Sequence, residues 1–117
     1  MNDQKIAELN ETLKATNPRA IKIAGSNNSP RPIRYYNSKN YFTPDILMIF
    51  NDKRDFYTIE KAVNADVISE LTFKWILFSS EARKNNGQFY LIIDKDKSDY
   101  CKKVIADQQL EIELIEL

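Results

Sequence analysis

The sequence predicts an α/β protein, a three-layer α/β/α sandwich around a mixed sheet. Three observations predict it. Helix-like and strand-like segments alternate along most of the 117 residues. Residues 43–62, TPDILMIFNDKRDFYTIEKA, set two apolar runs around a short polar turn, which reads as an antiparallel hairpin. The C-terminal half reads strand, helix, strand, and such crossovers place their strands parallel and right-handed. A chain of 117 residues reads as one domain, 1–117, and buries roughly two-thirds of its unfolded surface.

The elements follow in order. Over residues 3–15, Ile6, Leu9 and Leu13 recur at helical spacing, with Asn2 or Asp3 as cap and Asn17-Pro18 as stop. Ala20–Ala24 alternates as a short strand. GSNNSPRP is a turn-rich loop, and Ile33–Tyr36 reads as a further short extended piece. The hairpin strands fall near 45–50 and 55–61. Asp66–Asn85 is the longest helix, with Ile68, Leu71, Trp75, Phe78 and Ala82 on one stripe. Asn64 or Asp66 would cap it, and Asn86-Gly87 would end it. The apolar run Gln88–Asp94 suits a buried central strand. Ser98 caps a helix through about Gln108, and LEIELIEL, 110–117, is a last strand with one wet face.

Composition narrows the chemistry. There is no histidine, which removes imidazole ligands and the commonest general base. Cys101 is the single cysteine and reads as a buried structural thiol, with neither a disulfide nor a zinc knuckle to form. Two glycines make no phosphate-cradling loop. No apolar run is long enough to span a bilayer, and MNDQKIAELNE does not read as a signal peptide, so the expectation is a cytoplasmic chain with no membrane partner. Carboxylates, lysines, tyrosines and a hard metal ion are the tools left for any catalysis.

The hairpin places an acid at the same end of each strand. A turn at Asp52-Lys53, or over the four residues Asn51 to Arg54, sets Phe50 opposite Asp55, Ile49 opposite Phe56 and Asp45 opposite Glu60. Opposed residues share a face, with Cβ atoms about 4.5–5.5 Å apart. One face is then Asp45, Leu47, Ile49, Phe56, Thr58 and Glu60, and the other is Ile46, Met48, Phe50, Tyr57 and Ile59. Two carboxylates side by side repel unless something offsets them. A divalent cation with oxygen ligands, magnesium, manganese or calcium, would do so, as would a lysine or a shared proton. Water at frayed strand ends is the simpler alternative, and a bulge would remove the pairing altogether.

Pro44-Asp45, followed by Glu60 on the next strand, resembles the motif of the PD-(D/E)XK, or restriction-endonuclease-like, nucleases. The order helix, three-stranded meander, helix, strand over residues 3 to 94 is similar to theirs as well. The resemblance implies a restriction-endonuclease-like domain in which Asp45 and Glu60 would hold magnesium or manganese. It also implies a lysine two residues after the second acid, and that position is Ala62. Lys61 lies one residue out of phase. Lys74, at the flank of the long helix stripe, is the displaced candidate, so the catalytic set would be Asp45, Glu60 and Lys74. Without a lysine in place, the pattern reads as a degraded nuclease motif.

A basic strip adds to this. No acid occurs between Glu11 and Asp45, while Lys14, Arg19, Lys22, Arg31, Arg34 and Lys39 alternate with Tyr35, Tyr36, Tyr41 and Phe42. Cations neutralise phosphates and aromatic rings stack on bases, so Lys22, Arg31, Arg34 and Lys39 are the candidate nucleic-acid contacts. Three readings stand at this point. One is a non-catalytic or weakly active relative of the metal-dependent nucleases, binding nucleic acid, a protein partner or a second copy of itself. Another is a magnesium-dependent phosphodiesterase working through Lys74. The third is an unrelated small α/β interaction domain.

Overall fold

A computed structural model describes residues 2–35 and 38–117. Tyr36, with which the Ile33–Tyr36 segment and part of the aromatic strip were read, lies outside them. Helix α1, Asp3–Lys14, starts from Asn2, whose side chain accepts the Gln4 N–H at 2.7 Å. Strand β1 is Ala20–Ile23, and no strand follows among the described residues 33–35, where Ile33 makes a single bridge to Phe42. Strands β2, Ile46–Ile49, and β3, Arg54–Ile59, form the hairpin. Helix α2 is Ile68–Lys84, β4 is Phe89–Ile93, α3 is Ser98–Asp107 and β5 is Glu113–Glu116.

The five strands lie in chain order, β1-β2-β3-β4-β5. The first three pair antiparallel and the last three parallel, so the sheet is mixed. Both parallel crossovers step in the same direction, and with one handedness that puts α2 and α3 on one face. There Trp75, Phe78 and Ala82 of α2 and Cys101 of α3 pack with Leu47, Phe56, Phe89, Leu91 and Ile93. On the other face Leu9 and Leu13 of α1 pack with Ile46, Met48, Tyr57 and Ile92. Helices therefore cover both sides of the sheet. The alternation read for the hairpin holds, with Leu47 and Phe56 on one side and Ile46, Met48 and Tyr57 on the other.

The register of the hairpin departs from the sequence reading. Ile49 faces Arg54 and Leu47 faces Phe56, so the turn tips at Asn51-Asp52. Moving the tip by one residue shifts the pairing by two, which leaves the paired side chains of β2 and β3 on their expected faces. The long helix starts at Ile68 rather than Asp66, because Asn64 caps the preceding turn, accepting the Asp66 N–H at 2.9 Å. It ends where Asn86 turns left-handed at φ 59 and Gly87 N–H bonds back to the Ala82 carbonyl. Gly87 serves a different need. A Cβ there would lie 1.7 Å from the Arg54 carbonyl oxygen, so the helix-to-β4 turn passes against the β3 backbone only without a side chain. A 3₁₀ turn, Lys95–Lys97, leads into α3, where Ser98 is the first helical residue rather than the cap and its hydroxyl donates to Glu116 instead, and the last strand is shorter than the alternating 110–117 segment.

Candidate functional site

Glu60 follows the last residue of β3, and its backbone N–H still bonds across to the Ile92 carbonyl at 3.0 Å. Its side chain turns under α2. Lys74 Nζ lies 3.0 Å from Oε1 and 2.8 Å from Oε2, and the Trp75 indole N–H donates to Oε2 at 2.8 Å. Glu60 and Trp75 are buried, and only 19% of the Lys74 side chain is exposed. The helix phase that buries Trp75 also sets its neighbour Lys74 at the edge of the core, so consecutive residues reach one carboxylate. A buried charge without a partner is costly, and here both oxygens have N–H donors. Cys101 on α3 belongs to the same core, and its thiol is pushed up from 9.0 to about 11 by burial and, secondarily, by Glu60.

Asp45 is not set squarely opposite Glu60. Ile46 is the Cα partner of Tyr57, and the Asp45 N–H also donates to the Tyr57 carbonyl, at 2.9 Å. Two consecutive residues thus answer to one, as at a β-bulge. The Asp45 carboxylate then takes the place of a strand carbonyl. Its Oδ2 accepts the Ile59 N–H at 2.6 Å and the Thr58 hydroxyl at 3.1 Å. Its own carbonyl accepts the Ala24 N–H, at 2.9 Å, so Asp45 ties three strands together. No hydrogen bond or ion pair joins Asp45 to Glu60 or Lys74 among the described residues.

The structure thus brings Glu60 and Lys74 together and gives Asp45 a separate backbone role. A divalent ion at Glu60 would have to stand beside the Lys74 ammonium and displace an indole N–H, so the donor set in this arrangement does not suit one. No group of three or more carboxylate, thiol or imidazole side chains is placed to hold a metal among the described residues. Lys61 and Ala62 are exposed beyond the end of β3, where strand alternation no longer sets their direction. The sequence reading missed Trp75 and Thr58 as partners of the acids. The signal for Trp75 was its own polar atom, because a buried indole N–H needs an acceptor.

The four basic candidates separate into two places. Lys22 of β1 and Arg31 line one groove together with Arg54, which sequence reading had passed over. Arg34 instead lies over the Tyr41 ring, 5.1 Å from its centroid, and donates to the Ser38 carbonyl at 3.0 Å. Lys39 lines a depression with Tyr41 and Phe73, and those rings are 58% and 42% exposed. Phe73 of α2 anchors this segment, with Tyr35 edge-on at 4.8 Å and Phe42 tilted at 6.0 Å. Two acids at the other end of the chain are engaged with their own partners. Glu111 pairs with Arg83 at 3.0 Å, and Glu116 with Ser98 and Lys102. The Ser98 hydroxyl in particular holds the Glu116 carboxyl below the usual range.

No helix is long and apolar enough to cross a membrane among the described residues. Comparison with known protein families, curated proteins and solved structures gives no match for this chain.

Proposed function

We propose that this chain is a non-catalytic relative of the metal-dependent, restriction-endonuclease-like nucleases, and that it binds single-stranded nucleic acid. The observation that carries the non-catalytic part is Glu60, whose two oxygens are occupied by Lys74 and Trp75. An acid so engaged is a structural partner rather than a metal ligand. The element order, one helix, three antiparallel strands, then a helix and a parallel strand, supports the kinship. The Arg34, Lys39 and Tyr41 surface supports the ligand, since a cation beside an exposed ring offers both phosphate neutralisation and a stacking platform.

The test is a titration of a fluorescent single-stranded oligonucleotide, with cleavage followed in millimolar magnesium. The expected result is salt-sensitive binding, weakened by Arg34→Gln and Tyr41→Ala, with no cleavage. Absence of binding at low salt would sink the reading. A second reading rests on one observation, the Lys74–Glu60 contact, which joins the second acid to the displaced lysine. In that reading the chain is a weak magnesium- or manganese-dependent phosphodiesterase. Metal-dependent cleavage abolished by Lys74→Ala and by Asp45→Asn would favour it over the first.

A further inference from the structure

The groove beside β1 carries a chemistry that neither Glu60 nor the Tyr41 surface uses. Lys22 faces Leu47 across the β1–β2 ladder, and Arg54 opens β3 two residues before Phe56, so both stand on the α2 face of the sheet. Arg31 reaches the same groove from the loop after β1. Three cations from three separate segments thus border one space of about 480 Å³. None of the three makes an ion pair with a described residue. The one acid in the lining, Glu81, is engaged by Lys84 at 3.4 Å. Leu47, Phe56 and Pro44 supply an apolar wall.

Three like charges bordering one concavity repel one another, and a multivalent anion relieves that. Two guanidinium groups favour an anion that accepts paired hydrogen bonds, as phosphate does. The apolar wall and a volume in the usual range for ligand clefts ask for more than inorganic phosphate. We infer that the groove of Lys22, Arg31 and Arg54 is a binding site for a nucleotide-sized phosphate ester, its phosphate among the cations and its uncharged part against Leu47 and Phe56. The ester is a free nucleotide or one residue of a strand. This site stands apart from Arg34, Lys39 and Tyr41, so it does not rest on the reading given for them.

The experiment is a nuclear magnetic resonance titration of the isotopically labelled full chain. The probes are adenosine 5′-monophosphate, adenosine and a short oligothymidylate strand. Saturable shifts at Lys22, Arg31 and Arg54 with the monophosphate, absent with adenosine, are expected for a free nucleotide. The same shifts with the strand alone assign the ligand to a nucleotide within a strand. Either response should weaken at least about tenfold in Arg31→Gln, Arg54→Gln, since charged hydrogen bonds contribute about 1.5–3 kcal/mol each, and should survive Tyr41→Ala. Equal shifts with adenosine, or none with either phosphate probe at millimolar concentration, would overturn the site. Strand binding lost in Tyr41→Ala with a silent groove overturns the groove and leaves the proposed function standing. Monophosphate binding in the groove with no strand binding does the reverse.

Discussion

Trp75 and Lys74, neighbours on α2, converge on one buried carboxylate, that of Glu60, with the indole nitrogen 2.8 Å from Oε2 and the ammonium 2.8 Å from Oε2 and 3.0 Å from Oε1. The strand end and the helix are therefore fastened by charge as well as by packing. Removing either donor should be felt as weaker bonding to a buried acid, beyond any lost apolar area.

Trp75→Phe keeps most of the ring in the core and deletes the indole N–H. The expected loss is about 1.5–3 kcal/mol, that of one hydrogen bond to a charged acceptor, with the Lys74 ammonium remaining on Oε2. Trp75→Ala adds a cavity, for a total of about 3–5 kcal/mol. Urea denaturation of both variants checks the order. A Phe variant as stable as the parent would show that the indole bond contributes nothing.

Lys74→Ala leaves Glu60 with its charge buried and uncompensated. Breaking one side of such a pair costs about 3–5 kcal/mol. Lys74→Ala, Glu60→Gln should recover part of this. The same single variant should respond to metal: with the ammonium gone, millimolar magnesium or manganese should raise its melting temperature more than that of the parent chain. Equal metal responses in the two proteins would place any ion away from Glu60.

Gly87→Ala drives a methyl into the Arg54 carbonyl, which is backbone and has no rotamer to yield. The β3–β4 junction must open to admit it. A loss of about 3 kcal/mol or more is expected, at the top of the usual range for overpacking. Thermal melting decides it; a shift of about 1 °C or less would mean the turn relaxes freely.

Cys101 sets an alkaline limit. Its thiol rises from 9.0 to about 11 through burial, so the unfolded chain loses that proton first. The contribution is fully present below pH 9 and is lost as pH climbs toward 11. The slope of unfolding free energy against pH in that window should be smaller in Cys101→Ala. At pH 8 the folded thiol should also alkylate far more slowly than the urea-unfolded one. Equal rates would mean the thiol is open to reagent.

The faces of the hairpin were legible because side-chain alternation survives a register shift of two. The register itself was not, because Asn51-Asp52 and Asp52-Lys53 are equally fit for a turn. The bulge at Asp45 depends on Ala24 and Ile59, which local sequence does not bring together. Lys74 was legible from helix phase, since the stripe through Trp75 and Phe78 fixes where residue 74 must lie. The partnership of Trp75 with Glu60 was not, because an apolar stripe says nothing of where an indole N–H points. For the basic strip, the sequence showed a positive excess and hid its division into two surfaces, because only the β1–β2 and β2–β3 ladders together bring Lys22 and Arg54 to one groove.

The order of the strands in the sheet is also their order along the chain. Each new strand meets the one made just before it, through a tight turn, a loop or a single helix. No strand must wait for one distant in sequence, and none has to insert between strands already paired. The chain can assemble progressively from its N-terminal end as synthesis proceeds, with β1 to β3 closing before α2 and β4 arrive. Mixed α/β domains with such sequential pairing fold faster than all-β domains of similar size. The step to watch is the arrival of α2 and β4, because until then Glu60 has no partner and β3 has an open edge.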